Sequence, residues 1–210
     1  MKNKESLLKR TAKKALPYTG LAALVALQTP IHESVHCATA ELTGGNCTGV
    51  VLSAQNNWYM KPLEYITFGF YKVGDLAVGI DGVTSIAHAD TLFGKLGSIA
   101  TAALPEFMYT AVGMGLVKLG LENYKKKPLF GMVQTLAGGL CMSSTLNYMR
   151  VSLYGARPGH DYYDVTQKVL DILHLPESLA SAMTPLVGIP LLFVAAYGTA
   201  AIVTNKMKSE

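Results

Sequence analysis

Residues 15–43 read ALPYTGLAALVALQTPIHESVHCATAELT, an uncharged apolar run that continues into a His-Glu-x-x-His motif. The pattern predicts one helix that passes through the motif to about Thr43, where two consecutive glycines form a natural stop. Residues four apart on a helix differ by only about 40° around its axis, so His32 and His36 can bind one metal ion. Glu33 lies on the same side of this helix and can act as a general base.

The composition predicts an integral membrane protein. Half of the residues are hydrophobic and 15% are charged, whereas about 25% are charged in a typical soluble domain. A membrane helix needs about 20 mostly apolar residues, and four runs qualify: residues 15–31, 96–117, 128–149 and 178–205. We therefore expect a mainly α-helical, polytopic membrane helix bundle of about four transmembrane helices.

Basic residues predict the orientation of these spans. Lysine and arginine concentrate in residues 2–14, in the loop at 118–127 and in residues 206–208. With four spans, these three segments fall on one side, which the positive-inside rule makes cytoplasmic. Both termini are therefore predicted to be cytoplasmic, and the lipid bilayer explains the net charge of +4. No nucleic-acid partner is predicted, because the chain has no basic stripe with interleaved aromatic residues.

Residues 44–90 have a β-prone texture that differs from the apolar runs. Segments 50–52, 58–60 and 65–71 are rich in β-branched and aromatic residues and are separated by Gly, Asn and Pro. We predict a small insertion of two to four short strands after the first helix. An extended edge there can pair with an extended substrate, or the insertion can be a structural cap over the helices.

A catalytic zinc usually takes three protein ligands and keeps one position for water, so a third ligand is needed. Glu41 points about 140° away from the histidines, while Glu64 and residues 88–90 lie in loop-like sequence. Residues 159–164 are the densest remaining ligand-capable segment, and they emerge on the motif's side of the membrane in the predicted topology. We predict Asp161 as the third ligand. The alternatives in that segment are Asp164 and His160.

The motif and its surroundings resemble the site-2 protease (M50) family of intramembrane zinc metalloproteases. That family carries H-E-x-x-H on its first core helix, then a β-rich stretch, then a distant Asp ligand on a later helix. By this resemblance, His32 and His36 bind one Zn²⁺ per chain together with a distant Asp, for which Asp161 is the candidate, and Asn147 helps to hold substrate. From the residue alone, we favour a hydrogen bond of Asn147 between packed helices. The family's later motif, N-x-x-P-x-x-x-L-D-G, is absent here, which indicates a divergent member.

The resemblance implies that residues 1–210 form a single membrane-embedded metalloprotease domain. The expected activity is zinc-dependent intramembrane endopeptidase, in which Glu33 is the catalytic general base and the substrate is a membrane protein or peptide. A di-iron membrane hydroxylase would need several histidine boxes, but the chain has 5 His and one box. The alternative is a non-catalytic metal-binding membrane protein, with a pseudo-protease, scaffold or immunity role, although it would not need Glu33. The sequence carries no signal for oligomeric state.

The remaining polar residues receive plainer interpretations. The three cysteines are scattered, so we expect no disulfide framework, and Cys37 is interpreted as a small buried side chain. Glu106 interrupts the second apolar run and is either a partner of the site or a structural residue. His88 and His174 are expected on the surface or in loops. The tyrosines at 162–163 are expected at the membrane boundary.

Overall fold

The computed structural model describes residues 2–76, 82–155, 158 and 160–208, and these are mainly helical. The described helices are α1 (Lys2–Leu42), α2 (Ala54–Asn57), α3 (Lys61–Ile66), α4 (Leu92–Tyr124), α5 (Pro128–Gly155), α6 (Asp161–Ile172) and α7 (Ala180–Lys208). The described strands are β1 (Asn46–Ser53), β2 (Tyr71–Gly74) and β3 (Gly82–Ala87). Short 3₁₀ turns cover Trp58–Met60 and Glu177–Leu179.

The chain divides into two compact units. The first comprises Met1–Leu27, Tyr109–Leu146 and Leu192–Glu210, and the second comprises Gln28–Met108 and Asn147–Leu191. The His-Glu-x-x-His motif, the sheet and α6 all belong to the second unit.

The motif helix α1 ends where the sequence predicts. Gly44 has a φ of +76°, a left-handed conformation that glycine adopts without steric cost. The backbone N–H of Gly45 donates to the carbonyl of Ala40 at 2.8 Å, which satisfies a carbonyl that the helix end leaves unpaired. The helix begins earlier than the apolar run suggests, at Lys2.

A three-stranded sheet follows α1, in the order β2-β1-β3. β1 pairs in parallel with β2 and antiparallel with β3. Val50 and Leu52 of β1 are almost fully buried, and together with Cys37 of α1 they form the local hydrophobic core. This core is consistent with the alternation of buried and exposed positions that a strand imposes. It fixes the sheet against the end of the motif helix.

The prediction of strands at 58–60 and 65–66 is wrong, because these residues are helical. Pro62 stands in the first turn of α3, where its fixed φ favours a helix. Gly69, at a φ of +80°, donates its N–H to the carbonyl of Glu64 at 2.8 Å and ends the helical segment. These local start and stop signals outweigh the weak β-propensity of the aromatic residues.

The expectation of no disulfide is also wrong, although Cys37 is buried, as expected. Cys37 and Cys47 form a disulfide, with their Cα atoms 5.2 Å apart. It joins the residue after His36 to the second residue of β1. The scattered spacing gave no indication of this pairing, because the turn at Gly44 and Gly45 brings the two cysteines together only in the folded chain. Cys141 is free and buried.

Within the first unit, α4 and α5 approach each other closely through glycines. A Cβ added to Gly138 would lie 2.6 Å from the carbonyl oxygen of Gly113, so only glycine fits there. The hydroxyls of Thr110 and Thr145 hydrogen-bond at 3.1 Å. Close approach through small residues, with polar side chains bonding between helices, is typical of helix pairs in membranes.

The long helices overlap all four predicted apolar runs. Among the described residues, one helical stretch, Glu177–Lys206, is long and apolar enough to cross a membrane. The short helix α6 begins at Asp161 and ends at Ile172.

Candidate metal centre

Three side chains of the second unit converge on one point. His32 and His36 are buried on α1, and Asp161 is the first residue of α6. The two Nε2 atoms lie 3.0 Å apart, and Asp161 Oδ2 lies 3.3 Å from Nε2 of His32 and 3.5 Å from Nε2 of His36. Among the described residues, these three form the group that could hold a metal ion.

The spacing of these three donor atoms fits a tetrahedral zinc ion. Zinc lies about 2.0–2.1 Å from nitrogen and oxygen ligands, so two ligand atoms of a tetrahedron lie about 3.3 Å apart. The three measured separations are 3.0, 3.3 and 3.5 Å. Two imidazoles and a carboxylate are also a donor set that zinc accepts, with a fourth position left for water. The residues present therefore fit a tetrahedral metal ion such as zinc.

The opposite nitrogens of both histidines face groups on α4. His36 Nδ1 lies 2.7 Å from the backbone carbonyl oxygen of Thr101. Since a carbonyl can only accept, Nδ1 carries the proton in this contact and Nε2 remains a lone-pair donor to a metal. His32 Nδ1 lies 3.7 Å from Oε1 of Glu106, whose side chain is fully buried. Such outer contacts orient metal-binding imidazoles and strengthen them as ligands.

Asp161 owes its place to the start of α6. His160, in an extended conformation, is the residue before the helix, and Asp161 opens its first turn, where a carboxylate is favoured by the helix dipole. Burial raises the pKa of Asp161, but the His32 and His36 imidazoles, when protonated at Nε2, outweigh burial through hydrogen bonds and positive charge and hold this pKa below its ordinary value. The side chain is therefore ionised, as a metal ligand must be. Asp164 and His160 are not members of the converging group.

Glu33 is buried and held by β3. The Thr84 hydroxyl donates a short hydrogen bond to Glu33 Oε2 and also lies 3.3 Å from the Glu33 backbone carbonyl. A Cβ added to Gly82 would lie 2.7 Å from Glu33 Oε1, so glycine at this position leaves room for the carboxylate. The strand thus fixes a glutamate adjacent in sequence to the first histidine of the group.

The acidic residues weighed as other ligands have structural contacts. Glu41 accepts the backbone N–H of Cys47 at 2.8 Å, and Glu64 accepts the backbone N–H of Val73 in a short hydrogen bond. Both carboxylates therefore anchor the sheet. Asn147 lies on α5, but its side chain is outside the described residues, so its role in holding substrate stays a prediction.

The structure bears on three single-residue expectations and corrects one of them. His88 lies in the loop between β3 and α4, as expected, and its half-buried ring packs against Gly45 and Gly97, where an added Cβ would lie 2.5 Å and 3.1 Å from His88 Cε1. Its Nε2 lies 3.2 Å from the hydroxyl of Thr101, and burial lowers its pKa. Tyr162 is 2% exposed, so it is a core residue rather than a boundary residue. His174 is exposed, as predicted.

Sequence inspection missed the residues that support the site. Thr84, Gly82 and Thr101 belong to no motif, and they reach Glu33 and His36 across 49 to 65 residues of chain. Pro105 next to Glu106 was the one visible signal, because a proline and a glutamate are both unusual inside an apolar helix.

Comparisons with protein-family models, with curated proteins and with solved structures found no match to this chain.

Proposed function

We propose that this chain is a zinc-dependent intramembrane endopeptidase and a divergent member of the site-2 protease family. The observation that carries the proposal is the convergence of His32, His36 and Asp161 beside a buried glutamate. These three donors come from two helices far apart in sequence, yet their separations match one tetrahedral ion. A purely structural metal site would have no use for Glu33.

Different residues of the chain bind the metal and transfer the proton in the proposed reaction. His32, His36 and Asp161 would hold one zinc ion, which when bound would polarise a peptide carbonyl and lower the pKa of a water molecule. Glu33 removes a proton from that water and passes it to the leaving amine. Thr84 holds Glu33 Oε2, so Oε1 is the oxygen that takes the proton.

The site lies at the non-cytoplasmic side of a polytopic membrane protein. In this arrangement α1, α4, α5 and α7 cross the bilayer, and both termini are cytoplasmic. The apolar length of α7 and the lysines near the ends of the long helices support it. The Cys37–Cys47 disulfide, one residue from His36, adds independent support, because disulfides persist in oxidising compartments outside the cytoplasm.

The substrate is a membrane-embedded or membrane-proximal peptide segment that is cleaved in an extended conformation. A helical amide is shielded by its own hydrogen bonds, so a substrate helix must unwind locally before attack. The strand that holds Glu33, β3, stands at an edge of the sheet. An extended segment that pairs with this edge would bring a peptide bond to the general base.

The metal set is tested by zinc content of the detergent-purified full chain. Wild type is expected to bind about one zinc ion, while His36→Ala and Asp161→Ala lose it. Asp164→Ala is the matched control, because it removes a carboxylate from the same helix turn, and it keeps zinc. Equal zinc in Asp161→Ala and wild type would remove Asp161 from the site.

The activity is tested by peptide cleavage in liposomes, with a library of quenched fluorescent peptides that each form one apolar span. Glu33→Gln is expected to keep zinc and lose cleavage by a factor of about 100 or more. Undiminished cleavage by this variant would contradict the assignment of Glu33. Zinc binding without cleavage of any peptide by wild type would favour the non-catalytic alternative.

A further inference from the structure

Pro105 interrupts the hydrogen-bond ladder of α4 at one defined place. In an α-helix, the N–H of each residue bonds to the carbonyl four residues earlier. Proline has no N–H, so Pro105 cannot engage the carbonyl of Thr101. This carbonyl is the one that lies 2.7 Å from His36 Nδ1. The missing helical bond and the bond to the histidine therefore concern the same oxygen.

We propose that Pro105 is a positioning residue for the metal centre, because it reserves the Thr101 carbonyl for the imidazole of His36. The inference rests on the proposed zinc site. A carbonyl that accepts from Nδ1–H fixes His36 in the tautomer whose Nε2 carries the lone pair. It also fixes the rotation of the ring, so that Nε2 lies near His32 Nε2 and Asp161 Oδ2.

The surroundings hold Thr101 in place for this role. Thr101 is 4% exposed, and its hydroxyl contacts His88 Nε2 at 3.2 Å. The His88 ring packs against Gly45 of the turn after α1 and Gly97 of α4, so it ties α4 to the end of the motif helix. A carbonyl exposed by a proline is costly inside an apolar region unless a neighbour satisfies it. Here His36 is that neighbour.

The residue that follows Pro105 in α4 faces the other histidine of the motif. Glu106, directly after Pro105, is the carboxylate that faces His32 Nδ1 at 3.7 Å. Residues 101–106 of α4 thus place an oxygen atom beside the outer nitrogen of each histidine. This arrangement orients both imidazoles from the side opposite the metal.

The test is Pro105→Ala in the full chain. Alanine restores an N–H that competes for the Thr101 carbonyl, and it also removes a residue that disfavours helix. We therefore expect resistance to unfolding to stay equal or rise, while zinc affinity falls about 10- to 100-fold. A misfolded variant would lose both resistance to unfolding and zinc affinity. Zinc affinity is measured by competition with a chromophoric chelator.

The matched control is Pro190→Ala, which replaces a proline inside α7 and is expected to leave zinc affinity unchanged. Pro105→Gly restores the same N–H in a more flexible backbone. If the alanine variant does not fold, the zinc affinity of the glycine variant tests the inference. Zinc affinity within about two-fold of wild type in a folded Pro105 variant would overturn the inference.

A second measurement separates this inference from the proposed function. Nitrogen-15 NMR of labelled histidines in the metal-free protein reports which ring nitrogen of His36 carries hydrogen. We expect the Nδ1–H form in wild type and a mixture of both forms in Pro105→Ala. If wild type binds no zinc, the proposed metal centre fails, but the tautomer still decides the role of Pro105. The same tautomer in both proteins would refute it.

Discussion

Removal of the Cys37–Cys47 disulfide should destabilise the fold by an amount set by the loop that it closes. The two cysteines are 10 residues apart in sequence. In the chain-entropy description, a loop of this length restricts the unfolded chain by about 9 cal/mol/K, which is about 2.7 kcal/mol at 25 °C. Double substitution, Cys37→Ala with Cys47→Ala, should therefore lower the free energy of unfolding by about 2–3 kcal/mol.

The assay is denaturant unfolding of the detergent-purified protein, followed by circular dichroism. A reductant should destabilise wild type by the same amount and leave the double variant unaffected, which separates the loss of the bond from the loss of the side chains. Labelling with iodoacetamide under denaturing conditions, without reductant, should modify one cysteine, Cys141. The reasoning is refuted if three cysteines react, or if the reductant leaves wild-type unfolding unchanged.

Two further predictions concern the residues that hold the site. Glu106→Gln should lower zinc affinity about 10- to 100-fold in chelator competition, because it weakens the charge opposite His32 Nδ1; unchanged affinity would show that Glu106 is structural. Thr84→Val should lower kcat about 10- to 100-fold with KM and zinc content unchanged, because Glu33 loses a charge-assisted hydrogen bond. Thr84→Ser keeps the hydroxyl and should retain most activity, and Thr48→Val, which removes an exposed hydroxyl bonded to a carbonyl of the same sheet, is the control. Equal loss in all three variants would point to a general effect on the sheet.

Local sequence was enough to predict the four long helices and the first half of the site. The placement of His32, Glu33 and His36 on one side of α1 follows from helical periodicity alone. The end of that helix follows from the two glycines that come after residue 43. The β-prone segments at 58–60 and 65–66 show the limit of the same approach, because short capping signals around Pro62 and Gly69 decided that stretch.

By itself, the sequence determined the spacing of the motif, the uncharged runs and the placement of charge, since each depends on neighbours along the chain. Only the tertiary structure decided that Asp161 rather than Asp164 joins the histidines, that Cys37 pairs with Cys47, and that the Thr101 carbonyl faces His36. These contacts depend on how α1, α4, α6 and the sheet pack. The physical reason is that a helix fixes its own residues within a few positions, whereas packing brings together groups that no local periodicity relates.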